Sequence, residues 1–376
     1  MQVTSFRFDP TLADEFAAFG RTLYLDDARR IQPFRRAIVR QLSPGYPFYQ
    51  QPGNEHRHFL VYRGREVVGR ASAMVNAALR DADGQAIGLI GFFECVEDPL
   101  VATVLLDAAC DWLRREQGLQ RIWGPMNFDI WHSYRFMTRG FDEDPFVGEP
   151  ANKPWYPEYF ERCGFTRRQT WNSLEVCGRA ELESLVADGK APHAAALERG
   201  YRFMSAADWD RRGAMPYLHD LVSKSFQGFL GYTPIGFDDF ARLYRRQWTI
   251  LARPMSFFLF DAADRPVAFA ATFYELSAAI RAMHGRENPV SKARFLIGRR
   301  SVQRLNLFAA GGIPEEQGRG AGLGRACLYH VVDQALQHGF DDVIFALMAT
   351  NSRVQGLFRR ATHPAQREYA LYELSY

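Results

Sequence analysis

One stretch of the chain limits the possible fold more than any other, because four alternating glycines join a short apolar segment to an amphipathic one. The glycines are Gly318, Gly320, Gly322 and Gly324. The apolar segment before them, residues 305–310, has the length of a buried strand. The segment after them, residues 325–336, carries apolar residues at helical spacing. A strand, a glycine-rich loop and a helix present free backbone N–H groups and a positive dipole end, and these bind anions.

The spacing of the glycines excludes two common phosphate-binding motifs. No register supplies the G-x-G-x-x-G of dinucleotide-binding proteins, and the Gly-Lys-Ser/Thr of a P-loop is absent from this stretch. The pattern Q/R-x-x-G-x-G/A fits in two registers, which begin at Gln317 and at Arg319. Ile313-Pro314 favours the first register and the residues after Arg319 favour the second, so both stay open. A plain connector is disfavoured because alternating glycines cost backbone entropy.

This loop resembles the pyrophosphate-binding loop of the GNAT acyltransferase superfamily. The order of the predicted elements resembles two domains of this superfamily in tandem, and that resemblance covers most of the chain. It implies that acetyl-CoA or another acyl-CoA binds as the donor substrate. The cofactor-binding residues that the resemblance implies are Gly311, Ile313, Gln317, Gly318, Arg319, Gly320, Ala321, Gly322, Leu323, Gly324, Asn351 and Phe358. No metal site is predicted.

The chain repeats one order of predicted elements: a hairpin, a strand, a helix and a further strand. The first hairpin turns near Gly64, and the second turns at residues 262–264. We therefore predict an α/β fold of the α+β mixed-sheet type, with two tandem GNAT-like domains at residues 1–180 and 200–376. Each domain is expected to hold a mixed, mostly antiparallel sheet flanked by helices. A polar helix over residues 182–199 is predicted to link them.

The two halves differ at the position of the glycine loop. The first half has no glycine between Gly91 and Gly118, and it places Glu94, Glu97 and Asp98 where a pyrophosphate would lie. Negative charge there repels such a ligand. The first domain is therefore expected to be a degenerate GNAT-like domain without a CoA loop, and CoA is expected to bind once per chain.

The chemistry implied by the resemblance is acyl transfer to an amine. Strand N–H groups polarise the thioester carbonyl, a base takes a proton from the ammonium, and an acid protonates the leaving thiolate. The position at which the family often has a tyrosine acid is Phe358, which has no proton to give. The strand at residues 305–310 carries no glutamate. Glu275 and His284 are the candidates for the base, although each is more often an ordinary hydrogen-bonded or solvated side chain.

We thus predict an acyl-CoA-dependent N-acyltransferase, of the acetyltransferase type, that acts on a small amine, an amino acid or a peptide. One alternative is a non-catalytic acyl-CoA sensor or scaffold, which the phenylalanine at position 358 and the lost loop of the first half favour. Another is a tandem transferase of the Fem or mycothiol-synthase type. Fem-type enzymes use an aminoacyl-tRNA donor and typically lack an intact CoA loop.

Composition limits the partners and the location. The net charge is +3 and no Lys/Arg-rich run is present, so no nucleic-acid partner is expected. No segment approaches the ~18 apolar residues of a membrane span, so no membrane partner is expected either. The five cysteines are scattered without C-x-x-C spacing, and the start lacks the features of a signal peptide. A cytoplasmic protein with packed thiols is therefore predicted, and its oligomeric state is left open.

Overall fold

The computed structural model describes residues 1–209, 211–317, 322–358 and 367–376. Within these residues the first half contributes seven strands: β1 (Gln2–Phe6), β2 (Glu55–Arg63), β3 (Glu66–Arg80), β4 (Ala86–Cys95), β5 (Arg121–Gly124), β6 (Phe136–Arg139) and β7 (Thr166–Cys177). The second half contributes six: β8 (Arg202–Ser205), β9 (Phe257–Phe260), β10 (Pro266–Tyr274), β11 (Arg304–Gly312), β12 (Asp342–Ala349) and β13 (Arg367–Ser375).

The helices flank these strands in both halves. Those of the first half are α1 (Pro10–Thr22), α2 (Arg35–Leu42), α3 (Pro47–Gln50), α4 (Pro99–Asp111) and α5 (Tyr156–Arg162). Two helices lie between the halves: α6 (Arg179–Val186) and α7 (Lys190–Glu198). Those of the second half are α8 (Arg211–Phe226), α9 (Phe237–Tyr244), α10 (Ser277–Arg281), α11 (Pro289–Gly298), α12 (Pro314–Gln317) and α13 (Leu323–Gln337). None of the helices in the described ranges combines the length and apolarity needed to cross a membrane.

All the strands join one sheet, and the two halves exchange their last strands within it. The order is β1-β2-β3-β4-β5-β13-β7-β12-β11-β10-β9-β8, with β6 beside β13. The C-terminal strand β13 thus pairs with β5 of the first half, for example Tyr372 with Gly124. Strand β7 of the first half pairs with β12 of the second, for example Val176 with Val343. The predicted mixed sheet flanked by helices is confirmed, and it is continuous across the halves.

Two parallel strand pairs stand at equivalent places in the two halves. They are β4 with β5 and β11 with β12, and the other neighbouring strands are antiparallel. Each pair is joined by a helix, α4 in the first half and α13 in the second, because a parallel connection needs a crossover. Pairing of β11 with β12 ends at Leu307 and Phe345, although β11 continues to Gly312 and β12 to Ala349. The two strands therefore diverge toward their C-terminal ends.

Helices cover both faces of the sheet. In the first half, α4 packs on one face through Val101, Leu105 and Ala109, while α1 packs through Phe16 into the core that also holds Trp123 of β5. In the second half, α6 and α13 share one core, and α8 and α9 form another with β9 and β10. The sheet thus forms the middle of a three-layer arrangement, as predicted.

Some predicted helix bounds are wrong. The polar linker is two helices, α6 and α7, separated by the 3₁₀ turn Ala187–Gly189. The apolar spacing of residues 100–117 also predicts a single helix, but the structure forms α4 followed by a π-helical turn at Trp112–Glu116. The apolar spacing of residues 26–34 is mixed and indicates a helix, but these residues form none, and Pro33 disfavours the helical conformation at Gln32.

Candidate functional site

The candidate ligand site of the second half begins at the first turn of α13. Gly322 is the N-cap residue with φ of 67°, and no side chain caps the helix in the part of the chain that the structure describes. The N–H groups of the first helical turn have no acceptor within the helix, so they and the helix dipole favour an anion at this end. Gly318, Arg319, Gly320 and Ala321 lie outside the described residues. Their assignment to the cofactor stays a prediction.

A cavity of about 290 Å³ lies beside this first turn. Its walls come from the end of α6 and the turn after it, from α13, and from the 3₁₀ helix Arg353–Phe358. The lining residues are Leu185, Val186, Asp188, Gly189, Arg325, Leu328, Gly356 and Leu357. This volume is at the lower end of ligand pockets. Arg325 brings a cation to the cavity and is exposed. Sequence reasoning missed Arg325, although its place directly after Gly324 is a usable signal.

The remaining residues assigned to the cofactor lie around the diverging strands. Gln317 ends α12, and Leu323 and Gly324 begin α13. A Cβ atom built on Gly324 would lie 3.7 Å from Leu357, so the 3₁₀ helix is close to the start of α13. Ile313 lies between two cores and donates its N–H to the Val267 carbonyl at 2.9 Å.

Three of these residues are engaged in contacts within the protein. A Cβ atom on Gly311 would lie 2.8 Å from Ser225 Cβ, so this glycine permits the close approach of α8 to β11. Asn351 forms two reciprocal side-chain hydrogen bonds with Gln169 of β7, at 3.0 and 3.1 Å. The Phe358 ring packs on Phe345 with 4.9 Å between centroids. Their predicted roles in cofactor binding are not tested by these contacts.

The first half fills the equivalent helix start with its own carboxylate. Asp98 is the N-cap of α4, where its side chain accepts the Leu100 N–H at 2.9 Å and pairs with Arg63. The Leu100 N–H and the Arg63 cation hold the pKa of Asp98 below its ordinary value. An anionic ligand at this position would meet a fixed negative charge. Asp98 therefore places negative charge at this helix start, as expected, and the lack of CoA binding in the first half stays a prediction.

Glu94 has a different position from the one expected. It lies buried on β4 and accepts hydrogen bonds from the hydroxyls of Tyr24 and Tyr156, both at 2.7 Å. The guanidinium groups of Arg30 and Arg70 lie 3.7 Å from its other oxygen. Burial and the neighbouring carboxylate raise the pKa of both tyrosines. Glu94 is therefore part of a compensated interior cluster and is not presented at the helix start where we expected it to repel a pyrophosphate.

The segment of the first half between Asn127 and Tyr159, which we call the insertion, covers part of the second-half sheet. Strand β12 directs Val343 and Phe345 toward α6 and α13, and it directs Ile344 and Ala346 toward Phe146 of this insertion. The next residues continue the contact. The Val147 N–H donates to Glu275 Oε2 at 3.0 Å, and Asn306 Nδ2 donates to the Val147 carbonyl at 3.1 Å. The insertion therefore forms a wall opposite α13.

Glu275, the first candidate base, is held by this wall. Its second oxygen accepts the Ser277 N–H at 2.7 Å, so both carboxylate oxygens already accept backbone N–H groups. Burial raises the pKa of Glu275 despite these hydrogen bonds. A raised pKa suits a proton acceptor near neutral pH, whereas the two hydrogen bonds describe a residue that fixes the insertion. The assignment as a base stays a prediction.

A buried charged cluster fastens the insertion to the exchanged strands. Arg367, the first residue of β13, lies 3.2 Å from Glu149 of the insertion and 3.3 Å from Glu175 of β7. Its Nη2 also donates to the Asp144 carbonyl at 2.9 Å, and Arg304 lies 2.8 Å from Glu175. Sequence reasoning missed this cluster, because its members are far apart in the chain and meet only through the strand exchange.

His284, the second candidate base, lies at a cavity between the halves. This cavity has a volume of about 710 Å³ and lies between residues 21–32 and 281–294. Its walls are rich in cations: Arg21, Arg30, Arg281, Arg286 and Arg294 all line it. His284 lines the same cavity and Glu275 does not, so the two candidates have different surroundings.

Cys327 on α13 is unsuited to nucleophilic chemistry. Burial raises the pKa of its thiol to about 12, which leaves very little thiolate at neutral pH. Burial also raises the pKa of Cys110 to about 12. Cys95 and Cys110 are buried, as predicted for packed thiols, whereas Cys177 is exposed.

The sequence was compared with family models and with curated proteins. No family model matches the chain. Over 289 residues it is 24% identical to Protein YghO of Escherichia coli (strain K12), and the match covers 75% of this chain and 70% of that protein. Over 162 residues it is 32% identical to Bacterial ceramide synthase of Caulobacter vibrioides (strain NA1000 / CB15N). This second match covers 43% of the chain and 41% of the relative.

Among solved structures, a tandem GNAT protein from the clavulanic acid biosynthesis pathway, determined without AcCoA, aligns along the whole chain. The alignment covers 100% of this chain and 98% of that protein, with a TM-score of 0.54 and 11% identity. An alignment of this extent includes both halves, so the similarity concerns their tandem arrangement. The chain has the tandem fold of the GCN5-related N-acetyltransferase (GNAT) superfamily.

Proposed function

We propose that the chain is an acyl-CoA-dependent N-acyltransferase whose donor binds in the second half. One contrast carries the proposal: α4 begins with a capping carboxylate, Asp98, whereas α13 begins at Gly322 without a side-chain cap among the described residues. The pyrophosphate of CoA suits the second arrangement, since a helix N-terminus favours negative charge. Arg325, at the adjacent cavity, supplies a further cation for a phosphate.

The divergence of β11 from β12 supports the same assignment. Beyond Leu307 and Phe345 the two strands no longer pair with each other, and we infer that backbone groups on their facing edges meet the ligand. The pantetheine arm of CoA contains amides that can bond such groups. In this proposal the thioester lies between the strands, and the insertion around Val147 forms the opposite wall.

The acceptor is proposed to be a primary amine. The small amine, amino acid or peptide expected from the sequence remains one candidate. The match to a protein named Bacterial ceramide synthase favours a second, a long-chain amino alcohol, because a ceramide is such a compound acylated on its nitrogen. A cytoplasmic location belongs to the same proposal.

The main test is calorimetric titration of the full chain with acetyl-CoA and with a long-chain acyl-CoA. We expect one binding site per chain, and we expect Asp98→Ala to leave that stoichiometry unchanged. Two equivalent sites, or no binding of either thioester, would refute the donor assignment. The thioester that binds more tightly indicates which acyl chain length the site prefers.

A second test measures thiol release from the bound thioester with a panel of acceptors. Release that depends on a long-chain amino alcohol supports the lipid acceptor, and release with amino acids or peptides supports the small one. Binding without release with any amine would favour the alternative of an acyl-CoA sensor or scaffold. Transfer from aminoacyl-tRNA in place of acyl-CoA would favour the Fem-type alternative.

A further inference from the structure

Helix α11 exposes its apolar face to solvent. Its outward side chains include Val290, Leu296 and Ile297, which are 61%, 54% and 70% exposed. At 100° per residue, Pro289, Ala293 and these three residues fall on one side of the helix, opposite the buried Ser291. A surface helix of a globular protein normally turns such a stripe toward the core.

Basic side chains flank this apolar face. Lys292 and Arg294 lie on its two sides, and Arg299 and Arg300 follow the end of the helix. Within the described residues, neither Lys292 nor Arg294 takes part in an ion pair. The nearest acidic residue along the chain, Glu287, lies 3.5 Å from Arg246. An exposed apolar stripe between cations is typical of helices that lie in the interface of an anionic membrane.

The arginine-lined cavity opens beside the same helix. Val290 and Arg294 belong both to α11 and to the cavity wall, and Leu25, which is 65% exposed, lies on the opposite wall. Among the five arginines of the cavity, Arg30 pairs with Glu94 and Arg281 lies 2.9 Å from Asp144. The other three, Arg21, Arg286 and Arg294, form no ion pair within the described part of the chain, and Asp27 is the one acidic side chain in the wall.

We propose that this surface, made of α11, Leu25 and the arginine-lined cavity, docks on a bilayer that contains anionic phospholipids. Val290, Leu296 and Ile297 enter the apolar boundary, and the arginines meet the headgroup phosphates. Arginine suits this role because its planar guanidinium binds phosphate through two N–H groups. Charge complementarity selects the bilayer over an apolar protein partner, since the cations surround the stripe on both sides.

This inference departs from the expectation of no membrane partner, which rested on the absence of a segment long enough to span a bilayer. A helix of 10 residues is too short to span, but it is long enough to lie in the interface. The inference does not depend on acyl transfer. Vesicle binding and thioester binding are measured separately, so either proposal can fail without the other.

The test is co-sedimentation of the full chain with vesicles of phosphatidylcholine alone and with vesicles that also contain phosphatidylglycerol. We expect binding to the anionic vesicles that weakens with salt. The variant Leu296→Gln/Ile297→Gln should lower the partition coefficient at least about tenfold, because two large apolar side chains lose their burial. The variant Lys292→Glu/Arg294→Glu should lower it by about fivefold or more for each charge reversed.

Matched controls lie on other surfaces of the molecule. Leu197→Gln removes an exposed apolar side chain from α7, and Arg65→Glu reverses a charge in the β2–β3 turn. Both should bind the anionic vesicles like the wild type, and circular dichroism should show all variants folded. Wild type that binds neither vesicle, or variants that bind as well as the controls, would overturn the proposal.

Two further outcomes point to other occupants and would also overturn it. Inorganic phosphate or glycerol phosphate that binds the protein tightly, with no vesicle binding, would make the cavity a site for a soluble anion. A wild type that is dimeric by light scattering, with a monomeric Leu296→Gln/Ile297→Gln variant and no vesicle binding, would assign the apolar face to a second copy of the chain.

Discussion

The substitution Glu149→Gln should change how the stability of the protein depends on pH. Glu149 lies in the insertion and accepts a hydrogen bond from the Tyr369 hydroxyl at 2.5 Å, with Arg367 Nε at 3.2 Å. Burial nevertheless raises the pKa of its carboxyl from an ordinary 4.5 to about 7, and this effect exceeds those of the tyrosine hydroxyl and the arginine. The folded protein therefore holds a proton here that the unfolded chain releases.

The sign and size follow from this difference in pKa. Below pH 4.5 both states are protonated, and the stabilisation from the bound proton is complete. As pH rises through about 7 the folded carboxyl must ionise, and the stabilisation is lost. One pKa unit corresponds to about 1.4 kcal/mol, so the wild type should lose about 2.5 kcal/mol from this group between pH 5 and pH 8. Glutamine cannot ionise, so the variant lacks this loss.

Thermal unfolding at several pH values measures the effect. For a chain of this length, 2.5 kcal/mol corresponds to about 3 °C in Tm. The Tm of Glu149→Gln minus that of the wild type should therefore rise by about 3 °C from pH 5 to pH 8. The control is Glu368→Gln, a partly exposed carboxylate next to Arg367 on β13 that pairs with Arg139. A Tm difference for Glu149→Gln that stays constant across this pH range would show that the carboxyl titrates normally, and the reasoning would be wrong.

Three further predictions concern the candidate site. Gly322→Asp should weaken CoA binding about tenfold or more, because its carboxylate would repel the pyrophosphate at the helix start. Gly339→Asp, just past the other end of α13 with φ of 81°, controls for backbone strain, and a CoA affinity of Gly322→Asp equal to that of this control in calorimetry would refute the assignment. Glu275→Gln should destabilise the fold by about 1–3 kcal/mol, since one amide N–H group must face a backbone donor; an unchanged urea midpoint would contradict this. Phe358→Tyr should speed CoA release, by up to about 10²-fold if the hydroxyl protonates the thiolate, and an unchanged rate across a pH series would show that another group does so.

Local patterns in the sequence predicted most of the elements near the site. The hairpin turn at Gly64, the strand of residues 305–310 and the helix of residues 325–336 were all correctly placed, because each depends on neighbouring residues. The glycines after residue 317 marked the start of α13 for the same reason. Gly322, which has no side-chain cap among the described residues, and the capping Asp98 are also visible in the sequence as residue types at equivalent positions.

The features that sequence reasoning missed depend on contacts between distant segments. Glu94 was interpreted as an exposed charge, since nothing in its neighbourhood shows that Arg30, Arg70 and two tyrosines surround it. Arg367 and Glu149 are more than two hundred residues apart, and no periodicity relates them. The outward apolar face of α11 was hidden because the spacing of its apolar residues is that of an ordinary core-facing helix.

The strand exchange brings the first half to the candidate site of the second half. Strand β7 of the first half lies against β12, so one edge of the diverging strands is supported by the first half. The insertion from the same half closes the opposite face through Phe146 and Val147. Strand β13 of the second half in turn pairs with β5 of the first half, and Arg367 at the start of β13 forms an ion pair with Glu149 of the insertion. Each half therefore completes the sheet of the other.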